Sequence, residues 1–507
     1  MPEAEPAADL LLASARIPAG LRGPEPSSTH RGSDPVDLLI RGGRIAAVVP
    51  AAAPLGDVDA GAERLELGGR WVVPGLWDEH VHMTQWAIAR RRVDVADAAS
   101  AAEAAQRMRA AAGGPGASAG ELLVGQGFRD GLWPDAPTSA VLDAAVPHRP
   151  VVVVSGDLHA CWLNSPALER FGLAGHPSGL LREDECFAVV PRLAEAPTAT
   201  TDAWVAEAAE AAAARGVVGI VDMEMPWSMA HWRRRMASGF DVLRVWASVY
   251  PGAIEEAVAA GIATGEAVAP LLHMGYAKVI TDGSLNTRTA YCVDPYPGTA
   301  DRGVLSVPTD ALLVFLRRGA EAGIAPAVHA IGDEANRLAL DALEALGVGR
   351  AVAPRIEHAQ LLRRADLPRF AASGIVASIQ PEHAMDDRDV AEHHWAGRTE
   401  RGYLVADLLG AGARVVFGSD APVAPLDPWV GIAAAVTRTR GDREPWHPEQ
   451  AISPVEAIAC SARTRLRTGA PADLAVLDAD PHDPAALRTM PVAATLLAGR
   501  WTHRAID

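Results

Sequence analysis

The sequence has 507 residues, of which 49% are apolar and 21% charged, a composition typical of a globular protein with one large hydrophobic core and one or two smaller ones. The formal net charge of −17 argues against nucleic acid and against an anionic membrane as binding partners. The four cysteines lie far apart and form no CxxC pair, as expected for reduced thiols in a cytoplasmic protein.

The first residues, MPEAEPAADL, are acidic and lack the basic and apolar segments of a signal peptide, and no apolar stretch is long enough to span a membrane. Strands joined by glycine turns are predicted near both ends of the chain. They read DLLLASARI, DLLIRGGRIAAVVP and ERLELGGRWVVPG at one end, and ADLAVLDAD and AATLLAGRWTHR at the other. We expect residues 1–73 and 465–507 to form one small β-sandwich domain.

From residue 71 onward, short β-branched or apolar runs alternate with helical segments rich in Ala, Leu and Arg, the pattern of βα units. The predicted strands are residues 71–82, 216–224, 242–250, 276–284, 325–333, 354–360, 374–381 and 413–420. Their number and alternation predict an α/β fold of the (β/α)8 TIM-barrel class over residues 74–90 and 206–464. Two further apolar runs, 121–128 and 150–162, do not fit this count, so residues 91–205 are expected to form an inserted lobe that covers the active site.

Catalytic groups of such barrels lie at the C-terminal ends of the strands. His80 and His82 end the first predicted strand, and their spacing of two places both side chains on one face. Four later strands each carry one further candidate: Lys278, His329, His358 and Asp420. A single histidine is more often a hydrogen-bonded interior residue, but four histidines and an aspartate that converge on one pocket predict a metal centre.

Lys278 is the only lysine among the 46 Lys and Arg residues of the chain. A compositional bias against lysine explains its rarity, but not its place at the end of an apolar segment. Lysine, unlike arginine, can become neutral, and a neutral amine can form a Schiff base or react with carbon dioxide to give a carbamate. Two metal ions about 3.5–4 Å apart can share the carbamate oxygens. We therefore predict that Lys278 is N-carboxylated, which would allow it to bridge two ions if the site holds two.

This arrangement resembles the amidohydrolase superfamily, which has HxH on strand one, a carboxylated lysine on four, histidines on five and six, and an aspartate on eight. It is most similar to amidohydrolase family three, the YtcJ-like branch that includes N-substituted formamide deformylases. The matching stretches cover nearly the whole chain: PGLWDEHVH, DLHACWLNSPAL, AKVITDGSLNTRTA, VHAIGDEAN, RIEHAQLL, SIQPEH, FGSDAPVAPLDPW and GAPADLAVLDADP.

The resemblance implies a metal-dependent hydrolase that cleaves a non-peptide carbon–nitrogen bond of a small amide or formamide. The predicted catalytic residues are Asp420, Lys278 and His329, with Asp420 as general base and then acid. The ligands expected for the first ion are His80, His82 and Asp420, and those for the second are His329 and His358. Zinc is the expected metal and iron, manganese and cobalt are alternatives, with one ion or two left open.

The residues expected to contact substrate are His159, His383, Trp86 and Arg288, the last paired with Asp282. The stretch HAMDDRDVAEHHW is predicted to be a mobile polar loop. Three other functions stay open: hydrolysis of a lactone, ester or cyclic amide at the same site, a Schiff-base lyase that uses Lys278, and a non-catalytic metal-binding protein. A homo-oligomer is compatible with the sequence.

Overall fold

The computed structural model describes residues 9–23, 34–53, 61–113, 121–194, 196–347 and 351–506. Within these ranges the chain begins with β-strands, enters a barrel, leaves it for an inserted lobe, completes the barrel and ends in β-strands. None of the helices in these ranges combines the length and apolar character that crossing a membrane requires. The four cysteines are buried and free: Cys161, Cys186, Cys292 and Cys460.

The first sheet has four strands in the order β3-β2-β1-β4. They are β1 (Leu10–Ala15), β2 (Val36–Arg41), β3 (Arg44–Pro50) and β4 (Glu63–Glu66). β1 pairs antiparallel with β2 and parallel with β4. Side chains alternate across a strand, so Leu10, Leu12 and Leu38 all reach the same buried face.

The stretch 71–82, predicted as one strand, is two strands in different sheets. β5 (Trp71–Pro74) pairs antiparallel with residues 474–477, whereas β6 (Leu76–Val81) pairs parallel with a barrel strand. The break falls at Gly75, where a Cβ atom would lie 2.5 Å from Cγ1 of Val218 and 3.0 Å from the carbonyl carbon of Asp473. The prediction of a single strand is wrong because two sheets meet at this glycine.

The chain then forms the inserted lobe, a five-stranded sheet in the order β11-β10-β9-β8-β7 with helices around it. The strands are β7 (Val93–Asp94), β8 (Leu123–Phe128), β9 (Val151–Ser155), β10 (Ala160–Leu163) and β11 (Leu180–Arg182). The helices of this part are α1 (Met83–Ala89), α2 (Ala101–Ala112), α3 (Ser139–Ala145), α4 (Ser165–Phe171), α5 (Asp184–Val189) and α6 (Thr198–Ala213). The central strand β9 is buried on both faces, which explains its unbroken run of valines.

Seven further parallel strands complete the barrel that begins with β6. In chain order the strands are β12 (Val217–Asp222), β13 (Arg244–Val249), β14 (Ala267–Ala269), β15 (Leu272–Ile280), β16 (Pro326–Ala330), β17 (Arg355–His358), β18 (Val376–Ile379) and β19 (Val415–Phe417), of which β14 only flanks β15. Two backbone hydrogen bonds close the barrel after β19: Asp420 N donates to His80 O at 2.7 Å, and His82 N donates to Ala421 O at 2.8 Å. The predicted (β/α)8 fold class is confirmed.

Helices pack around the outside of the barrel strands. They are α7 (Met229–Ala237), α8 (Ile254–Ala260), α9 (Thr309–Glu321), α10 (Asp333–Ala345), α11 (Leu367–Ala372), α12 (Pro381–His394), α13 (Val405–Gly410), α14 (Pro428–Thr437) and α15 (Pro454–Cys460). Helix α12 corrects the prediction of a polar loop. Pro381 stands in its first turn, where proline is tolerated, and Ala384, Met385 and Val390 bury one face in a hydrophobic cluster.

After the barrel the chain returns to the β-strands near its N-terminus. The last elements are β20 (Leu474–Leu477), α16 (Pro484–Leu487), β21 (Val492–Leu497) and β22 (Arg500–Arg504). Their sheet has the order β22-β21-β20-β5. Leu474, Val476 and Leu496 share a core with Leu12 and Leu38 of the first sheet, so the two sheets pack face to face.

Candidate metal centre and active site

The C-terminal ends of the barrel strands open into a cavity of about 240 Å³. All six residues predicted for the metal centre line it: His80, His82, Lys278, His329, His358 and Asp420. Lys278 and His329 lie on the neighbouring strands β15 and β16, and the hydrogen bond that closes the barrel joins His80 to Asp420. The barrel thus brings together side chains that are far apart in the sequence.

Two sets of donor atoms are close enough for each to share an ion. One atom each from His80, His82 and Asp420 lies within 4.8 Å of the others, and the same holds for His358, His383 and Asp420. The Nε2 atoms of His80 and His82 lie 3.4 Å and 3.3 Å from Oδ1 of Asp420. Asp420 belongs to both sets and is therefore the centre of the cluster.

Four imidazole nitrogens of this region are buried and have no hydrogen-bond partner among the described residues. They are Nδ1 of His82, Nε2 of His329, Nδ1 of His358 and Nε2 of His383. Leaving one buried polar group unpaired costs about 1–3 kcal/mol. A divalent ion offsets this cost, because a neutral imidazole nitrogen binds it through its lone pair. The donor set therefore fits a metal centre.

Two residues that line the cavity hold an unusual backbone conformation. The φ angles of His358 and Asp420 are +71° and +57°, in the left-handed region that side chains other than glycine rarely adopt. Such strain persists where the surrounding structure enforces it, and it is concentrated at active and ligand-binding sites. The strain at the ends of β17 and β19, which β18 separates in the sheet, agrees with a functional cluster.

The electrostatic environment favours the protonation states that metal binding requires. Burial, reinforced by Lys278, lowers the pKa of His80 to about 4 and that of His329 well below its ordinary value. Burial also lowers the pKa of Lys278. Burial by itself would raise the pKa of Asp420, but the surrounding histidines hold it well below its usual range. His80, His329 and His358 are therefore favoured as neutral imidazoles and Asp420 as a carboxylate. At His82 burial is outweighed by the carboxylate of Asp420, which raises the pKa of that imidazole.

The residues that orient His80 were not predicted from the sequence. Nδ1 of His80 lies 2.7 Å from Oε2 of Glu357, which leaves its Nε2 free to face Asp420. Glu357 is held in turn by Arg355, whose Nε lies 2.5 Å from Oε1. A carboxylate in this position sets the tautomer and raises the basicity of a ligand histidine. The alternation of Arg355 and Glu357 on a predicted strand indicates a shared face, but it does not reveal which histidine Glu357 contacts.

The inserted lobe supplies His159 to the cavity. Nδ1 of His159 lies 2.8 Å from Oε2 of Glu183, and its ring centre lies 6.5 Å from that of His329. Asp157 of the same lobe accepts a hydrogen bond of 2.7 Å from the hydroxyl of Ser284, beyond β15. Residues of the inserted lobe and of the barrel therefore contact each other beside the cavity.

Three residues predicted to contact substrate, Trp86, Arg288 and His383, are not among the described residues that line this cavity, although His383 lines an adjoining one. On α1, Gln85 and Ile88 face the cavity, whereas Trp86 points the other way and packs into the core. Arg288 is exposed and forms no ion pair with Asp282. The Asp282 carboxylate instead accepts three backbone N–H groups. Packing turns the side chain of Trp86 into the core and leaves that of Arg288 at the surface.

Several residues that line the cavity were not predicted. The apolar ones are Ile88, Leu158, Phe187, Val190, Pro191, Met225 and Ile280, and the polar ones include Arg92, Glu224 and Tyr250. Glu224 accepts the backbone N–H groups of Thr84 and Gln85 at 3.0 Å and 3.1 Å, and so fixes the first turn of α1 beside His82. An apolar wall beside a polar cluster suits a small organic substrate.

Comparisons with known proteins place these features in a wider group. The sequence model of the amidohydrolase family matches residues 65–503. Protein LONG AFTER FAR-RED 3 of Arabidopsis thaliana is 28% identical over 83% of this chain and 78% of its own. A Bacillus subtilis protein that bears the name amidohydrolase YtcJ is 27% identical over 87% of this chain and 90% of its own. The N-substituted formamide deformylase of Arthrobacter pascens is 25% identical over 91% of this chain and 94% of its own.

Solved structures agree with the observed fold. The crystal structure of an uncharacterized metal-dependent hydrolase from Pyrococcus horikoshii superposes with a TM-score of 0.75 at 25% sequence identity. The match covers 94% of this chain and 98% of the other. The similarity thus extends over the barrel, the inserted lobe and the terminal strands together.

Proposed function

This chain belongs to the amidohydrolase family, in its YtcJ-like branch, and we propose that it hydrolyses a non-peptide carbon–nitrogen bond of a small amide or formamide. The main support is the two sets of donor atoms that share Asp420, one with His80 and His82 and the other with His358 and His383, each within 4.8 Å. In the second set, Nδ1 of His358 and Nε2 of His383 are buried without a hydrogen bond, whereas nearly all buried polar groups in proteins are paired. Similarity to an N-substituted formamide deformylase favours an amide-type substrate.

One or two divalent ions would be held at the mouth of the barrel. We assign the ligands to two groups, His80, His82 and Asp420 for one ion and His329 and His358 for the other, with N-carboxylated Lys278 between them. When bound, such ions polarise a carbonyl group and lower the pKa of a water molecule. The imidazole-rich set favours zinc, with iron, manganese and cobalt as alternatives.

Asp420 is assigned the proton transfers. The low pKa of its carboxyl group means that it is ionised near neutral pH, so it can accept the proton of the attacking water. It then returns that proton to the departing nitrogen, which must be protonated to leave as an amine. Its Oδ1 atom lies within 3.4 Å of both His80 and His82, so the proton acceptor is positioned inside the proposed ligand cluster.

Lys278 is assigned a carbamate because its environment favours the neutral amine. The side chain is buried and lines the cavity, and its pKa is lowered by burial. Only a neutral amine reacts with carbon dioxide. Arginine, the residue at every other basic position of this chain, cannot lose its proton in this way.

Metal content and hydrolysis test the proposed function together. The purified protein is analysed for metals, stripped with a chelator, reloaded, and assayed at each stage on formamides, acetamides, cyclic amides, lactones and esters. We expect one or two metal equivalents, loss of amide hydrolysis on stripping and its return on reloading. His358→Asn should lose both metal and activity, whereas His482→Asn, on the exposed surface, should keep both.

Other outcomes would replace the proposed function. Turnover of lactones or esters well above that of every amide would assign carbon–oxygen bond hydrolysis to the same site. Borohydride trapping of a substrate on Lys278 in metal-free protein would indicate a Schiff-base lyase. Bound metal without turnover across the whole panel would indicate a binding protein.

A further inference from the structure

Arg92 lies half-buried on the cavity wall and has no acidic partner among the described residues. The only hydrogen bond of its side chain to a described residue runs from Nη1 to Oε1 of Gln126, at 2.7 Å. Burial lowers the pKa of Arg92 to about 10, and no carboxylate opposes this shift. Arg129 and Arg182 are paired with a carboxylate, whereas Arg398 and Arg438, which also lack one among the described residues, donate to backbone carbonyls instead. Arg92 therefore lines the cavity without a carboxylate among the described residues to pair with its charge.

The neutral contact that Arg92 does make holds it in a fixed orientation. Nε2 of Gln126 donates to the backbone carbonyl of Ser155 at 3.2 Å, so its Oε1 atom is turned toward Arg92. Gln126 is itself buried. A guanidinium that is already oriented loses little conformational entropy when a ligand binds, and its planar N–H groups match the two oxygens of a carboxylate.

The path from the metal centre to Arg92 follows one face of α1. Thr84, Ile88 and Arg92 recur every four residues and all line the cavity, directly after the proposed ligand His82. The backbone N–H of Arg92 bonds to the carbonyl of Ala89 at 2.9 Å, so the chain remains helically turned up to this point. Eight residues at helical rise correspond to about 12 Å, and the flexible arginine side chain spans part of that distance.

Apolar side chains occupy the wall between these two ends. Ile88 projects from α1, and Phe187 and Val190 project from the inserted lobe. Phe187 and Met225 are among the exposed large hydrophobic residues, with 36% and 48% of their surface accessible. Such exposure is consistent with a substrate that covers apolar surface.

We propose that Arg92 binds a carboxylate on the substrate, and that the protein acts on small amides that carry both this anionic group and an apolar portion. Because this assignment rests on the proposed function, the amide would lie at the metal centre while its carboxylate reaches Arg92. The bidentate ion pair would fix the position of the scissile bond, so Arg92 would determine specificity.

Two matched pairs of compounds test this assignment on the metal-loaded protein. Hydrolysis is measured for 4-(formamidomethyl)benzoate, whose aromatic ring separates the formamide from the carboxylate, and for N-benzylformamide, which lacks only the carboxylate. Binding is measured calorimetrically for 3-phenylpropanoate and 3-phenylpropan-1-ol, which have no hydrolysable bond. We expect the carboxylate-bearing member of each pair to be favoured, and Arg92→Met to remove about tenfold to hundredfold of that preference, the usual contribution of a hydrogen-bonded charge pair. Arg92→Lys should retain part of it.

Arg91→Met is the control, since it removes the same charge one residue away, where Arg91 pairs with Glu207 at the surface. It should leave both preferences unchanged. Equal effects of Arg91→Met and Arg92→Met, or a carboxylate preference that survives Arg92→Met in a folded protein, would overturn the role of Arg92. If neither amide is hydrolysed but the binding preference depends on Arg92, the proposed function fails while the carboxylate site stands.

Discussion

Replacing Lys278 with methionine separates a functional from a structural role for the only lysine. Lys278 is 2% exposed and makes no hydrogen bond or ion pair within the described residues, and its Nζ atom lies 6.0 Å from the ring centre of Tyr250. Burying a polar group without a partner costs about 1–3 kcal/mol in proteins. Methionine fills a similar volume without the amine. Lys278→Met should therefore raise the free energy of unfolding of the metal-free protein by about 1–3 kcal/mol.

The same substitution should remove at least one metal equivalent and most of the amide hydrolysis of the loaded protein. Stability is measured by urea unfolding of metal-free samples, where a shifted midpoint at constant slope reports the change, and metal content by elemental analysis. Lys278→Arg is the control: it keeps the charge and should lose metal and activity without gaining stability. This reasoning would be refuted by a Lys278→Met variant that is less stable than the parent when metal-free and that still binds as much metal as the parent when loaded.

Three further substitutions test the surroundings of the site. Glu357→Gln should weaken metal binding about 10- to 100-fold in a chelator competition assay, because His80 loses the carboxylate at its Nδ1 atom; unchanged affinity would rule out this support. His383→Asn should lower metal content or affinity, whereas His393→Asn, exposed on the same helix, should not; equal values would exclude His383 as a ligand. Gly75→Ala should destabilise the protein by about 1–3 kcal/mol through the clash with Val218. Gly252→Ala, with no atom within 4 Å of the added methyl group, is its control in thermal unfolding, and equal midpoints would contradict the role assigned to Gly75.

The barrel could be predicted from the sequence because each strand is a local signal. An apolar run that ends in a polar residue marks both the strand and the end at which chemistry occurs. This is why all six predicted ligands, from His80 to Asp420, lie in one cavity. The chemistry of Lys278 also needs only the residue type and its place on a strand.

Tertiary packing decided two features of the fold that the local pattern of apolar residues does not predict. Gly75 splits one apolar run between two sheets because Val218 and Asp473, both distant in sequence, leave no room for a side chain. The helical α12 depends on a buried apolar face that the polar sequence around it obscures.

Tertiary packing also decides the direction of side chains within the site. Trp86 and Arg92 lie six residues apart near α1, yet one packs into the core and the other lines the cavity. The contact between Glu357 and His80 joins β17 and β6 across the interior of the barrel, although these strands are not adjacent in the sheet. The sequence determines which donor groups are available, whereas the direction of each side chain and its partner depend on segments that meet only in the folded chain.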